Sequence, residues 1–292
     1  MKRSPIQKIR LLPGYECYIK RDDLLDPVLG GNKARKLHFL LTNPPAIDEI
    51  VSFGSLHSNA MAALSVVARR FGWRFVYYAK LDPRVLAAPA GNLKLAIENG
   101  MELRSIERFP LKEYNHLAHA FVEDRRLIVP EGVRCKEAQE GVRLLAEEIM
   151  EWARGRRYNV FLPSGTGTTA LFLQKYLGMP VYTVACVGDA GYLKEQFALL
   201  EPDTTYHPTI LQPPRKYRFG RLYRELFELW QKVRHSSGVE FDLLYDPVGI
   251  ATLLEHGMVG ENLLYIHQGG LLGNETMIAR YKRKFDTIDQ IL

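Results

Sequence analysis

Cysteine is scarce in this chain of 292 residues: Cys17, Cys135 and Cys186 stand far apart, with no CxxC pair and no histidines at ligand spacing. That excludes a disulfide framework and argues against a zinc site, so no metal is expected. No apolar run approaches the length needed to cross a bilayer, and the opening MKRSPIQKIRLL has basic residues without the apolar core of a signal peptide. A cytoplasmic protein with no membrane partner is the expectation. Charge of one sign is not gathered anywhere either. The net charge is +6, yet the basic stretches RRFGWR, RGRRY and RYKRKF are scattered and interleaved with acids. A solvated surface or a small anionic ligand accounts for that excess better than nucleic acid does. Low-complexity linkers and internal repeats are absent.

What the chain has is size and an ordinary globular composition, 47% hydrophobic and 25% charged, enough for one large domain or two modest ones. Short β-branched or aromatic runs end in Gly, Ser or Pro, and longer amphipathic stretches follow them. EIVSFGS leads into HSNAMAALSVVARRFG, YNVFLPSG into TTALFLQKYLG, PVYTVACVG into AGYLKEQFALL, and ENLLYIHQGG into NETMIARYKRKF. Strand-then-helix repetition predicts parallel sheets covered by helices, an α/β fold. So many strands point to two sheets, hence two three-layer αβα domains. TNPPAIDE and WARGRRYN are the best boundary loops, giving a small inserted α/β domain of 43–152 and a large domain of 1–42 plus 153–292.

The polar turns after the strands lie where ligands collect in such sheets. In FLPSGTGTTALFL, a strand delivers Ser164, Gly165, Thr166, Gly167, Thr168 and Thr169 to a helix start. Backbone N–H groups and hydroxyls there suit a phosphate, and a plain helix cap suits the pattern equally. It is neither a Walker loop nor a GxGxxG fingerprint. Ser58 and Asn59, in SFGSLHSNAMAAL, either cap a helix or reach into a cleft, and His57 beside them reads as a surface or core residue. Gly269 and Gly270 permit a tight turn or the approach of a ligand; Asp246 before Pro247 reads as a turn residue. In LGGNKARKLHFLL, Lys33 is either a solvated helix-start residue or a buried amine with chemistry to do.

In this order the segments resemble the pyridoxal-phosphate (PLP) enzymes of the tryptophan-synthase-β-like fold (fold type II), in the branch of D-cysteine desulfhydrases and 1-aminocyclopropane-1-carboxylate (ACC) deaminases. KRDDLLDPVLGGNKARKL resembles the branch's lysine segment, SNAMAALSVVARRFG its SN-plus-helix element, GNLKLAIENGMEL its GN-to-GA element and SGTGTTA its phosphate loop. YDPVG and IHQGG are similar to its DPVY and HTGG signatures in degenerate form. The likeness runs nearly end to end. It implies pyridoxal 5'-phosphate in the cleft between the two domains, attached to Lys33 as a Schiff base. It also implies that Lys33 carries the proton at Cα, that Ser58 holds the substrate carboxylate or assists proton transfer, and that Lys36, Asn59, Ser164, Gly165, Thr166, Gly167, Thr168, Thr169 and Gln268 contact the cofactor. The partner is a small amino-acid substrate, and the assembly a homodimer. A Schiff-base lysine must lose its proton near neutral pH, through desolvation and nearby positive charge; Arg35 and Lys36 are expected to supply that charge.

Three departures from the branch bear on the reaction. Gly249 and Ile250 stand where DPVY and its following acid or Thr are found, so the tyrosine is missing there; Gln268 replaces the Thr of HTGG; and Phe219 occupies the region of another tyrosine. A neutral partner at the pyridine nitrogen weakens the electron sink. β-Elimination tolerates this because the leaving group drains charge, whereas opening a cyclopropane is more demanding. The expected activity is therefore that of a PLP-dependent lyase or deaminase giving a 2-oxo acid and ammonia, with Tyr245 or Tyr265 replacing the lost tyrosine. The alternative, motivated by Gly249 and Ile250, is a catalytically impaired PLP-binding protein acting as a sensor or carrier. A nucleic-acid-binding domain would need a contiguous basic face, which the sequence does not offer.

Overall fold

The computed structural model describes residues 2–285. The chain opens on a hairpin of β1 (Ile6–Leu12) and β2 (Tyr15–Arg21), followed by the short helices α1 (Gly31–Lys36) and α2 (His38–Thr42). Next come β3 (Glu49–Gly54), α3 (Asn59–Phe71), β4 (Arg74–Ala79), α4 (Pro83–Ala87), α5 (Gly91–Glu98), β5 (Glu102–Ser105), α6 (Leu111–Tyr114), β6 (Phe121–Glu123) and β7 (Arg126–Val129). The remainder holds α7 (Gln139–Ala153), β8 (Asn159–Ser164), α8 (Thr168–Leu177), β9 (Val181–Ala185), α9 (Ala190–Leu200) and β10 (Thr209–Leu211). It ends with α10 (Arg224–Ser237), α11 (Asp246–Glu255), β11 (Leu263–His267) and α12 (Gly273–Lys284).

These strands form two sheets, a six-stranded one in the order β1-β2-β11-β8-β9-β10 and a five-stranded one in the order β5-β4-β3-β7-β6. The two-sheet α/β architecture is the expected one. Its edges depart from the parallel pattern: β1 pairs antiparallel with β2, and β6 with β7. The reason is connection length, since a parallel crossover needs a dozen or more residues and these pairs are joined by tight turns. Asp124 and Arg125, between β6 and β7, both take positive φ (47° and 61°), as the hairpin turn of the matching twist requires.

Interior strands read as continuous apolar runs because helices cover both faces. Along β8, Val160 and Leu162 point into one core and Phe161 into the other; along β11, Leu264 and Ile266 oppose Leu263 and Tyr265 in the same way. The first core continues through α7, α8 and α3 into the five-stranded sheet, and the second is closed by α10, α11 and α12. Helix α7 packs on both α8 and α1.

A buried ion network ties the base of α1 to its neighbours. The Arg35 guanidinium, fully buried, meets Asp22 at 3.0 and 2.9 Å and Glu148 of α7 at 2.7 and 2.8 Å. Lys20 reaches the same Glu148 at 2.5 Å and the Ser4 carbonyl at 2.5 Å. Burial opposes ionisation of Glu148, but the bonds from Arg35 and Lys20 outweigh it and hold the carboxyl below the usual glutamate range. The glycines beside the network are steric necessities: a Cβ on Gly31 would overlap the Asp22 carbonyl, and one on Gly141 the Arg35 carbonyl. Removing one partner of a buried charge network leaves the others uncompensated. Arg35→Met is therefore expected to lower stability by about 3–5 kcal/mol, read as a lower urea midpoint; an unchanged midpoint would show that the network is not a structural anchor.

Candidate active site

A cavity of about 400 Å³ lies beyond the carboxyl ends of β3, β8 and β11, walled on one side by the start of α1. The cofactor and catalytic candidates drawn from the sequence line it, Lys33, Lys36, Ser58, Asn59, Gln268 and the whole run 164–169, whereas Tyr265 does not. His57 and Asp246, read from the sequence as bland residues, line it too, as do Asp242, Tyr245, Phe219 and Asn92. Of these, Asp242 was the residue that carried no signal in advance.

Lys33 sits in the middle of α1, its Nζ donating to Asn32 Oδ1 at 2.8 Å. Burial brings its pKa down to about 8, and Asp242 pulls in the opposite direction. The expectation that Arg35 and Lys36 supply the lowering charge is corrected here. Arg35 faces away into its carboxylates. Lys36 donates to the Gly132 carbonyl at 2.7 Å, and burial, followed by Lys33 beside it, pushes its own pKa well down. Desolvation, not neighbouring charge, tunes Lys33.

The turn after β8 has the makings of an anion cradle at the N-terminus of α8. Gly167 takes φ +72°, and a Cβ there would overlap the Phe197 ring, so only glycine closes the turn against α9. Thr166 and Thr168 hydroxyls bond each other at 3.1 Å, and Ser164 Oγ accepts from Thr183 at 2.7 Å. The Thr169 hydroxyl is different: it is buried and has no partner. Orphaned buried hydroxyls cost stability unless a ligand satisfies them.

The opposite wall is built from α3, the loop after β11 and the loop before α11. Ser58 caps α3, its Oγ accepting from Ala60 N at 3.1 Å and Met61 N at 3.3 Å, and its hydroxyl also hydrogen-bonds with the Tyr77 phenol. Asn59 Oδ1 accepts from Asn92 Nδ2 at 2.7 Å, which leaves the Asn59 Nδ2 as the outward donor, beside Gly270. Gly269 and Gly270 hold φ of +75° and +89°; a Cβ on the first would lie 2.7 Å from Gly31 N and on the second 2.8 Å from Asn59 Nδ2. Gln268 is clamped at both ends of its amide, Nε2 donating to the Pro163 carbonyl at 2.7 Å and Oε1 accepting from Asn32 at 2.9 Å.

Geometry also resolves the tyrosine question. Tyr265 is fully buried, donates to Asp246 Oδ1 at 2.6 Å and stays out of the cavity lining. Tyr245 lines the cavity, with its hydroxyl near Gly165 and its ring against Phe219 at 5.4 Å. A Cβ on Gly249 would lie 3.1 to 3.3 Å from Phe161, Pro163 and the Tyr265 hydroxyl, so a larger side chain there needs those neighbours to give way.

Comparison with known proteins adds to this geometry. No protein-family model matches the chain. A Thermotoga maritima protein named "Putative 1-aminocyclopropane-1-carboxylate deaminase" is 26% identical over 94% of this chain and 95% of its own length. A D-cysteine desulfhydrase of Yersinia pestis is 39% identical over 74 residues, 24% of this chain and 22% of that protein. Among solved structures, an ACC deaminase homologue superposes with a TM-score of 0.74 at 21% identity, covering 96% of this chain and 94% of that one. In its sequence segments and its fold the chain fits the fold type II family of PLP enzymes.

The family's cofactor fits the residues present. A fold type II site needs a desolvated lysine amine and a phosphate cradle, and the Thr169 hydroxyl, unpartnered among the described residues, together with the glycine-closed turn would suit that cradle. Thr169→Val keeps the side-chain volume and removes the orphan. It is expected to leave the melting temperature of cofactor-free protein unchanged or raised and to weaken PLP binding about tenfold to a hundredfold. A fluorescence titration with PLP reads the second number; equal affinities would remove Thr169 from the cradle.

Proposed function

We propose that this fold type II enzyme, a PLP-dependent lyase or deaminase, eliminates a β-substituent from a small amino acid and releases ammonia and a 2-oxo acid. One observation supports this above the rest: a lysine amine, desolvated to a pKa of about 8, shares a single cavity with an unsatisfied anion cradle. Names of relatives, ACC deaminase and D-cysteine desulfhydrase, fit the same class of chemistry.

When bound, PLP supplies an electron-withdrawing ring that stabilises negative charge at the substrate Cα. Each surrounding residue then has a task suited to its environment. Lys33 holds the cofactor and, once displaced, its amine takes the Cα proton. Ser58, at the start of α3, would receive the substrate carboxylate. Asn59 donates through Nδ2 to the ring oxygen, and residues 166–169 hold the phosphate. Gln268 offers its remaining N–H to the ring nitrogen. Burial raises the Tyr245 phenol well above its ordinary range, so it stays protonated and donates to the departing group.

Reduction of the purified protein with borohydride, followed by peptide mass spectrometry, is the direct test. The pyridoxyl mass is expected on Lys33; its appearance elsewhere, or nowhere, overturns the proposal. D-cysteine, L-cysteine or D-serine should yield a 2-oxo acid, ACC should not, and Lys33→Ala should lower the rate by about 10²–10⁴-fold. A carrier would show the Lys33 adduct with no turnover of any of these substrates.

A further inference from the structure

We propose that Asp242 is the proton carrier for the amines that exchange at Lys33. The inference rests on the reading of Lys33 as the attachment residue, and it assigns work to a carboxylate that the sequence left unmarked.

Asp242 lies in the loop before α11, is only 4% exposed and lines the cavity. Its two oxygens differ. Oδ1 is fixed by the backbone N–H groups of Leu244 at 2.8 Å and Tyr245 at 2.6 Å. Oδ2 receives no hydrogen bond from the described residues and lies beside Gly270, where a Cβ would be 3.3 Å from it and 2.8 Å from Asn59 Nδ2. One oxygen thus locks the rotamer, and the other is presented to the space next to the cofactor-facing amide.

The charges around it favour the assignment. Among the described residues no arginine lines the cavity and its lysines are Lys33 and Lys36, of which Lys36 is engaged by the Gly132 carbonyl. Other carboxylates of the lining have partners of their own. Asp23 pairs with Arg21 at 2.7 Å, and Asp26 accepts from the N–H groups of Val28 and Leu29. Asp246 accepts from the Tyr265 hydroxyl and from Asp242 N at 2.8 Å, while Glu131, whose carboxyl desolvation raises, is attracted by Arg134 and lies at the exposed rim. The titratable and charged groups that face Asp242 are Lys33 on α1, Asp246 on α11, Tyr245, Tyr265 on β11 and Cys186 after β9. Only Lys33 among them is a cation. Burial raises the Asp242 carboxyl to about 6, against its two backbone bonds and Lys33, while Lys33 sits at about 8. Both groups therefore change protonation close to neutral pH.

An amino acid arrives with its nitrogen as an ammonium and must lose a proton before it attacks. The N–H bond breaks, the electron pair stays on nitrogen, and the proton passes to Asp242 Oδ2, giving a carboxylic acid. Asp242 hands that proton to the Lys33 nitrogen, and as the bond to the substrate nitrogen replaces the bond to Nζ a second proton follows the same route, so two protons leave the substrate nitrogen, two reach Nζ, and the carboxylate is restored. No oxidant, reductant or further reactant is needed.

The test compares full-length wild type with Asp242→Asn, whose side-chain oxygen still accepts from Leu244 and Tyr245. In protein purified without cofactor, competitive labelling with acetic anhydride reads the Lys33 titration midpoint. Because the carboxylate favours the ammonium, the Asn variant is expected to titrate about one unit lower. In the PLP-loaded enzyme, exchange of Lys33 for the probe amine glycine, followed by absorbance, should slow about 10²-fold. A structural role alone would shift the melting temperature and leave both readings unchanged, and that result overturns the inference. Where the Asn variant does not fold, Asp242→Ser, whose hydroxyl caps the same N–H groups, is read the same way. If wild-type Lys33 takes up no PLP, the active-site reading itself falls; if it does and both readings match wild type, only the role of Asp242 falls.

Discussion

Helix α1 is six residues long, too short to hold its shape by its own hydrogen bonds, yet it presents the one amine on which the proposed chemistry turns. What holds it is Arg35, clamped between Asp22 and Glu148 with no exposure to solvent. Burying such a network is weak evidence for net stability, because desolvation of the charges offsets most of the attraction. Its value is positional. A guanidinium forked onto two carboxylates fixes the rotation of α1 about its axis, and two residues earlier along that helix Lys33 is thereby aimed into the cavity. The glycines at 31 and 141 let Asp22 and α7 close to the backbone, so the clamp is steric as well as electrostatic.

That arrangement separates two requirements that conflict. Holding a short helix calls for strong ion pairs; lowering the pKa of a lysine calls for the absence of them. Arg35 and Lys33 lie two positions apart and so face different directions. The ion pairs are made on the side of α7, and the cavity side is left dry. Lys36, which returns to the cavity face three residues after Lys33, is bonded to a carbonyl and not to a carboxylate, so it brings no counter-charge of its own beside Lys33.

How much of this was legible in the sequence follows from where the information resides. The strands β3, β8 and β11 announced themselves because interior parallel strands must be apolar throughout and end in glycine or serine turns. The site turns were legible for a related reason: Gly167, Gly269 and Gly270 take backbone angles that other residues rarely adopt. The hairpin of β1 and β2 was not, since its outer strand is partly exposed and its charged residues broke the apolar pattern. Arg35 looked like one more cation near Lys33 because its partner Glu148 lies 113 residues away. Asp242 was hidden by its neighbourhood, an aspartate after a phenylalanine in a stretch that reads as an ordinary loop; only the Oδ1 cap and the proximity of Gly270 reveal it. Tyr245 and Tyr265 were indistinguishable until strand alternation put Tyr265 on the far face of β11 with Phe161.

The clamped amide of Gln268 then bears on which reaction the proposed site favours. A chain of bonds runs from Lys33 Nζ to Asn32 Oδ1, from Asn32 Nδ2 to Gln268 Oε1, and from Gln268 Nε2 to the Pro163 carbonyl. Both ends of the amide are therefore oriented, and its spare hydrogen is an N–H that donates. Were that N–H to face the ring nitrogen of bound PLP, it would need the nitrogen's lone pair, and the ring would stay unprotonated and withdraw electrons less strongly than beside a carboxylate. Reactions that leave the full negative charge on Cα are handicapped by this. Reactions in which a sulfide, hydroxide or amine departs from Cβ are not, because the developing charge leaves with the group. The substitution at 268 and the tyrosine at 245 thus push in one direction: the sink is weaker, and a protonated phenol stands in the cavity to meet the leaving group.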